Sequence, residues 1–248
     1  MNIAIIGYGK MGQAIAGIAQ KEHISIAAII DPQAPEATHK EITADSVKNA
    51  DVCIEFTQPD QCIQNIQKLA SLKKNIVVGT TGWNDKISEV EQIVKKHGIG
   101  LVYASNFSLG VHVFLKLVQH AATIMNRFPE YDVYGLDLHH SQKKDSPSGT
   151  ARLLSDILLN EIDRKKSVQF EKLERKLLPE EIHFASVRAG NIPGTHTIAF
   201  DSSADKIELT HEAKNREGFA HGSLKAAEFI QNKKGMYSIE ALLEELMK

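Results

Sequence analysis

The densest concentration of reactive side chains in this chain is the stretch HHSQKKDSPSGTA, residues 139–151. It offers the adjacent His139 and His140, then Lys143 and Lys144. Pro147, Ser148, Gly149 and Thr150 follow, ahead of an amphipathic run with Leu153, Leu154, Ile157 and Leu158. Ser148 or Thr150 can act as a helix N-cap, and glycine lets the backbone approach a ligand. A helix N-terminus with free N–H groups suits a carboxylate or phosphate. The lysines add positive charge, and the histidines can donate protons near neutral pH. The competing reading is a surface strand–loop–helix connection with solvated lysines. A metal centre is not expected, because adjacent histidines on a strand point to opposite faces and no HxxxH or HExxH spacing lies nearby. Nucleophilic hydrolysis is not expected either, since Ser108, Ser141, Ser146 and Ser148 sit in no G-x-S-x-G elbow.

A second pattern opens the chain. AIIGYGKMGQAI puts Gly7, Gly9 and Gly12 in G-x-G-x-x-G spacing where a strand candidate meets a helix candidate. In that setting the glycines serve a tight turn, close backbone approach to a pyrophosphate, and helix–strand packing. Asp31 ends the second strand candidate about twenty residues later, where an acid would meet an adenosine ribose hydroxyl. Dinucleotide binding through Gly7, Tyr8, Gly9, Lys10, Met11, Gly12 and Asp31 is therefore expected. Asp31 favours NADH because a carboxylate repels a 2′-phosphate. Lys10 pulls the other way, so NADH and NADPH both stay open. Gly79, Thr80 and Thr81, and then Ala104, Ser105, Asn106 and Phe107, follow the fourth and fifth strand candidates. Ligands of open parallel sheets bind at such carboxyl ends, so these residues are expected to line the same site.

The elements that must position these groups follow from periodicity. Strand candidates fall at 2–7, 25–31, 52–56, 75–80 and 100–105, with helix candidates at 10–22, 58–72 and 84–97. That alternation argues for βαβ units and a parallel sheet buried on both faces. After residue 108 the rhythm changes. Val113, Leu117, Ala121, Ile124 and Phe128 fit one side of a helix within 110–128. A strand leads into the histidine pair and a helix spans 148–163. Segments 183–190, 194–201 and 206–213 read as antiparallel strands, and 220–231 and 238–247 as helices. A second domain is expected to begin near residue 109.

Bulk properties exclude several classes. The chain has 248 residues, 29 basic and 31 acidic, with a formal net charge of -2. No basic field is present for nucleic acid or anionic lipid. No apolar run approaches the roughly 18 residues of a membrane span, and MNIAIIG lacks the form of a signal peptide. Cys53 and Cys62 lie outside any CxxC spacing, which suits a reduced compartment. A cytoplasmic protein without membrane or nucleic-acid partners is expected.

The motifs also carry a resemblance. HHSQKKDSPSGTA resembles the H-H-x-x-K-x-D-x-P-S-G-T-A signature of the 4-hydroxy-tetrahydrodipicolinate reductase (dihydrodipicolinate reductase) family. GTTG, SNFSLGV, RAGNIPGTH and THEAKNREGFAHG are similar to that family in the same order, so the likeness spans essentially the whole chain. It implies a Rossmann-like domain of residues 1–108 and 220–248, its last helix returning to the first domain. It also implies a mixed α+β domain of residues 109–219 for substrate and oligomerisation, in a homotetramer. The implied activity is NAD(P)H-dependent reduction of a cyclic dicarboxylate in lysine and diaminopimelate biosynthesis, with loss of water. By position, His139 matches the proton donor and Lys143 the second essential polar group, while His140, Gly149 and Thr150 match substrate-carboxylate contacts. Arg188, His196, His211 and Arg216 fall in matching motifs, where structural roles compete with substrate contact. Many relatives carry glutamate where this chain has Asp137, and some have a longer glycine loop.

Overall fold

The computed structural model describes residues 1–246; Met247, the last residue of the helix expected over 238–247, and Lys248 lie outside the described residues. Contacts divide the chain into two compact units. One is Met1–Leu109 with the segment beginning at Arg216, and the other is Gly110–Asn215.

The first unit is built on six parallel strands. These are β1 (Asn2–Ile6), β2 (Ser25–Ile30), β3 (Val52–Glu55), β4 (Asn75–Val78), β5 (Gly100–Tyr103) and β11 (Gly235–Ser238), in the order β11-β5-β4-β3-β1-β2. Every residue of β3 and β4 is buried, because helices cover both faces. Helices α1 (Lys10–Lys21), α7 (Glu217–Ile230) and α8 (Ile239–Leu246) pack on the face carrying Ile3, Ile5, Ile54 and Val77. Helices α2 (Ala44–Val47), α3 (Pro59–Ser71) and α4 (Ile87–His97) cover the face carrying Ala4, Ile6, Cys53 and Ile76. The α/β class and the return of the late helices to this sheet are as expected. β11 and α2 escaped the periodicity reading because four residues are too few to show a period.

The second unit has a mixed sheet of β6 (Asp132–His139), β7 (Ser167–Gln169), β8 (Glu181–Arg188), β9 (Thr195–Asp201) and β10 (Lys206–Glu212), in the order β10-β9-β6-β8-β7. Helices α5 (Leu109–Met125) and α6 (Gly149–Glu161) cover one face, where Phe114, Val118, Leu154 and Leu158 meet Ile182, Phe184, Ile198 and Phe200.

Two expectations are corrected here. The three late strands do not form a simple antiparallel succession. Only β9 and β10 pair that way, whereas β8 runs parallel to β6, which is inserted between β8 and β9. The α5 helix is present, but Val113, Leu117, Ile124 and Phe128 are 49%, 54%, 44% and 44% exposed. Val111, Phe114, Val118, Ala122 and Met125 face inward instead. This helix is apolar around most of its circumference, so periodicity alone admits two stripes, and the fit against the sheet selects one.

No helix among the described residues is long and apolar enough to cross a membrane. Cys53 and Cys62 are free and buried. Burial pushes the Cys53 thiol up to about 12, and burial with the nearby Glu55 carboxylate raises Cys62 as well, so both behave as packing groups.

Asn75 ties the first unit together. Its side-chain amide donates to the carbonyls of Ile230 at 2.7 Å and Gln231 at 2.9 Å, and its Oδ1 accepts from Gly100 N–H at 2.7 Å. Replacement by alanine strands these groups without partners. Asn75→Ala is expected to lower unfolding free energy by about 3 kcal/mol, measured by urea denaturation. A loss below about 0.5 kcal/mol would reject this role for the side chain.

Candidate active site

Strand β6 delivers the reactive row. Its side chains alternate, so Val133, Gly135, Asp137 and His139 share the buried face. The register sets Ser186 of β8 and His196 of β9 opposite Asp137, and Arg188 of β8 opposite His139. His211 of β10 stands opposite His196. Residues far apart in the chain thereby converge on one carboxylate.

Asp137 is fully buried. Its Oδ2 accepts from the Arg188 guanidinium at 2.9 Å, the Ser148 N–H at 2.9 Å and the Ser186 hydroxyl at 3.1 Å. Its Oδ1 lies 2.9 Å from His139 Nδ1 and 3.3 Å from His196 Nε2. The His139 contact is an ion-pair separation rather than an aligned hydrogen bond: Nδ1 and Oδ1 are close but neither has an aligned partner. Burial alone would raise the Asp137 pKa. His139, His196, Arg188 and the Ser148 amide outweigh it and hold the carboxyl far below the usual range, so it is ionised at neutral pH. Burial, with His196 beside it, pushes His211 below the ordinary histidine value.

With Nδ1 turned to Asp137, Nε2 is the ring nitrogen on the far side of His139. It faces the backbone at Gly194, where a Cβ would stand 2.8 Å away. The same carboxylate reaches a helix. Ser148 is the N-cap of α6, its Oγ accepting from Ala151 N–H at 3.1 Å and meeting His196 Nε2 at 3.1 Å. Gly149 and Thr150 form the first turn, where N–H groups have no acceptor within the helix. A Cβ at Gly149 would meet nothing within 4 Å, so that backbone is open to an anion.

Lys143 stands on the loop between β6 and α6, its Nζ 2.8 Å from Asp145 Oδ1. His140 N–H donates to Ile192 O at 2.8 Å and Ser141 N–H to Gly190 O at 3.2 Å, which pins the loop to the β8–β9 connection. Arg188 also donates to the Asp145 carbonyl at 2.9 Å, linking Asp137 to the segment that carries Lys143. His140 is half-buried directly after β6. Arg188 and His196 thus serve Asp137, and Ser186 is a member of the cluster that motif reading missed. The signal was available in part: Asp137 precedes His139 by two positions, hence shares its face. The donor atoms of Asp137, His139 and His196 lie within 4.8 Å of one another, a spacing that a divalent cation could bridge. The Arg188 guanidinium already meets the Asp137 charge there.

In the first unit the three glycines differ in the space around them. Gly7 has φ +89°, and a Cβ there would lie 2.2 Å from Phe56 O; at Gly12 it would lie 2.2 Å from Gly7 O. At Gly9 it would meet nothing within 4 Å. The outer glycines permit packing, while the middle one leaves room over the start of α1, which begins at Lys10. Asp31 Oδ2 accepts from Tyr8 N–H at 2.7 Å, tying the end of β2 to the loop. A cavity of about 260 Å³ is lined by Met11, Phe56, Gly79, Ser105, Asn106, Phe107, Arg216 and Phe219. It gathers five of the residues expected at the cofactor and adds Phe56, Arg216 and Phe219. Thr80 is engaged internally, its hydroxyl accepting from Thr57 N–H at 2.8 Å and its carbonyl from Trp83 Nε1 at 2.7 Å. Thr81 is exposed and Ala104 buried at the same strand ends. Open backbone at a helix N-terminus, beside an aromatic-lined cavity, fits a nicotinamide dinucleotide.

Comparison with known proteins agrees along the whole chain. Residues 1–107 match the family model "Dihydrodipicolinate reductase, N-terminus" and residues 110–243 match "Dihydrodipicolinate reductase, C-terminus". A 4-hydroxy-tetrahydrodipicolinate reductase of Christiangramia forsetii is 38% identical over 248 residues, covering 100% of both chains. One of Methanococcus aeolicus is 35% identical over 74% of this chain and 67% of its own. In fold, the dipicolinate-bound dihydrodipicolinate reductase of Paenisporosarcina sp. TG-14 superposes with a TM-score of 0.75 at 23% identity, covering 96% of this chain and 97% of that one. The chain therefore belongs to the dihydrodipicolinate reductase family, NAD(P)H-dependent oxidoreductases of lysine and diaminopimelate biosynthesis.

Proposed function

We propose that this chain reduces 4-hydroxy-tetrahydrodipicolinate to tetrahydrodipicolinate with loss of water, with the first unit holding NADH or NADPH and the second holding the substrate. The observation that carries the site assignment is Asp137, which contacts both the His139 ring and the N-cap of α6. Proton delivery and anion binding are thus held in register by one side chain.

The bound nicotinamide supplies the hydride. The chain's own residues do the rest. His139 presents Nε2 to the ring and gives a proton to the carbon left electron-rich by hydride addition. Lys143 adds positive charge beside the developing negative charge. The Gly149 and Thr150 amides and His140 hold a carboxylate group of the substrate, the amides through the N-terminus of α6. Gly7, Tyr8, Gly9, Lys10, Met11 and Gly12 surround the pyrophosphate and Asp31 meets the adenosine ribose. Gly79, Thr81 and residues 104–107 line the nicotinamide end, and Thr80 braces the turn from within through its hydroxyl and carbonyl.

The sheet face of the second unit away from α5 and α6 carries Leu136, Leu138 and Val187, half-buried or exposed. It is the surface we assign to a homotetramer, consistent with the resemblance to the family. The buried free thiols support a cytoplasmic location.

The decisive assay generates the substrate in situ from aspartate semialdehyde and pyruvate with a synthase and follows nicotinamide absorbance. No oxidation above background with either cofactor would sink the reading. His139→Ala and Lys143→Ala are each expected to cut kcat by about 10²–10⁴-fold while cofactor binding persists. Unchanged turnover in both variants rejects the site. Asp137→Asn keeps the shape but removes the charge, and is expected to lower kcat by about tenfold or more with a displaced His139 imidazole NMR signal. An unmoved signal would show that Asp137 does not orient the ring. Gly194→Ala puts a methyl group against His139 Nε2, and should lower kcat more than it raises KM. A normal kcat would mean that Nε2 is not the nitrogen in use.

A further inference from the structure

The choice between NADH and NADPH turns on the end of β2, and the groups around Asp31 say more than its charge alone. Asp31 Oδ2 accepts from Tyr8 N–H at 2.7 Å, and Oδ1 from the N–H groups of Gln33 at 2.8 Å and Ala34 at 2.9 Å. A carboxylate offers about four acceptor sites, so backbone amides already occupy most of them. Asp31 is in large part a strut between the glycine loop and the turn after β2.

A second segment is stitched beside it. Asp31 N–H donates to His39 O at 3.1 Å, and His39 N–H to Ile29 O at 3.1 Å, with Ile30 and His39 forming an isolated parallel bridge. The Thr38 hydroxyl accepts from Ile29 N–H at 3.0 Å and donates to Ile29 O at 3.1 Å. This backbone brings Lys40 over the turn, where its Nζ donates to Ala34 O at 2.8 Å. Lys40 is exposed, and its ammonium is anchored to a neutral carbonyl rather than to a carboxylate among the described residues. An ammonium has three donors, so two remain for a ligand. Lys40 is also among the groups that lower the Asp31 pKa, after burial, which raises it, and the three amides.

We propose that Lys40 is a specificity residue of the cofactor site, taking the 2′-phosphate of NADPH, so that Asp31 and Lys40 together let the chain use both cofactors. The inference rests on the dinucleotide reading of the first unit. The acid after the second strand stands where the adenosine 2′-position falls in such sites, and a nearby cation is what a 2′-phosphate requires. Pro32, immediately after Asp31, offers neither a charge nor an N–H donor. Lys10 has a different task. As the first residue of α1, directly behind Gly9, it stands at the helix N-terminus, where the pyrophosphate common to both cofactors lies in such sites.

The test measures Kd for NADH and NADPH by fluorescence titration, alongside kcat/KM in the coupled assay, for the unaltered chain, Lys40→Gln and Lys10→Gln. The unaltered chain should bind both cofactors. Lys40→Gln should weaken NADPH by about tenfold or more, as expected for loss of a charge-assisted hydrogen bond, and leave NADH within about twofold. Lys10→Gln should weaken both alike. Raising the salt concentration should narrow the NADPH effect of Lys40. Lys40→Gln altering both cofactors equally, or neither, overturns the proposal while leaving the dinucleotide site intact. A selective NADPH loss in Lys10→Gln instead would move the role to Lys10 and overturn it too. Failure of the unaltered chain to bind either cofactor overturns the proposal together with the reading on which it rests.

Discussion

A carboxylate removed entirely from water is costly unless cations and N–H donors surround it, and Asp137 is such a group. The requirement to satisfy it organises the second unit's site. Arg188, Ser186, Ser148, His139 and His196 all come to its two oxygens. Each arrives from a different element or from its own strand, so the β6–β8 and β6–β9 registers and the start of α6 all have to be right at once. A one-residue slip of either pairing would turn the donors to the opposite face of the sheet. The geometry that the proposed proton transfer and anion binding use therefore follows from a constraint of folding.

Arg188 extends that constraint outward. It holds the Asp137 carboxylate and backbone carbonyl and also the carbonyl of Asp145, which stands two residues beyond Lys143. The loop carrying the lysine is thus tethered at both its ends, to β6 and to the buried centre. In the first unit an analogous tie is made by Asp31, whose oxygens accept amides from the glycine loop and from the turn after β2. In both units an acidic residue fastens the segments around the site.

Much of the parallel-sheet unit was legible because its signals are local. Buried βαβ units require runs of apolar residues of strand length followed by helical periodicity, and β1 to β5 with their helices obey that rule. The glycine spacing is legible for the same reason: Gly7 and Gly12 are demanded by atoms 2.2 Å from where a Cβ would be. The second unit was less legible. Whether β8 lies beside β9 or beside β6 depends on non-local pairing, and alternation is the same in both arrangements. α5 carries two apolar stripes, and only contact with Phe184 and its neighbours distinguishes the buried one. The four-residue β11 is a strand because β5 offers it an edge, not because its own residues insist on it.

The sequence by itself determined the class of the first unit and, through the spacing of HHSQKKDSPSGTA and the motifs around it, the family. Those properties depend on residue type at short separation, where backbone sterics and hydrogen-bond chemistry act directly. Only the tertiary structure decided which groups converge: that Arg188 and His196 meet Asp137, that Ser148 rather than Thr150 caps α6, and that Thr80 faces inward. Such assignments depend on strand register and on which donors are left to satisfy a buried charge. These are properties of the whole packed sheet, and no short segment contains them.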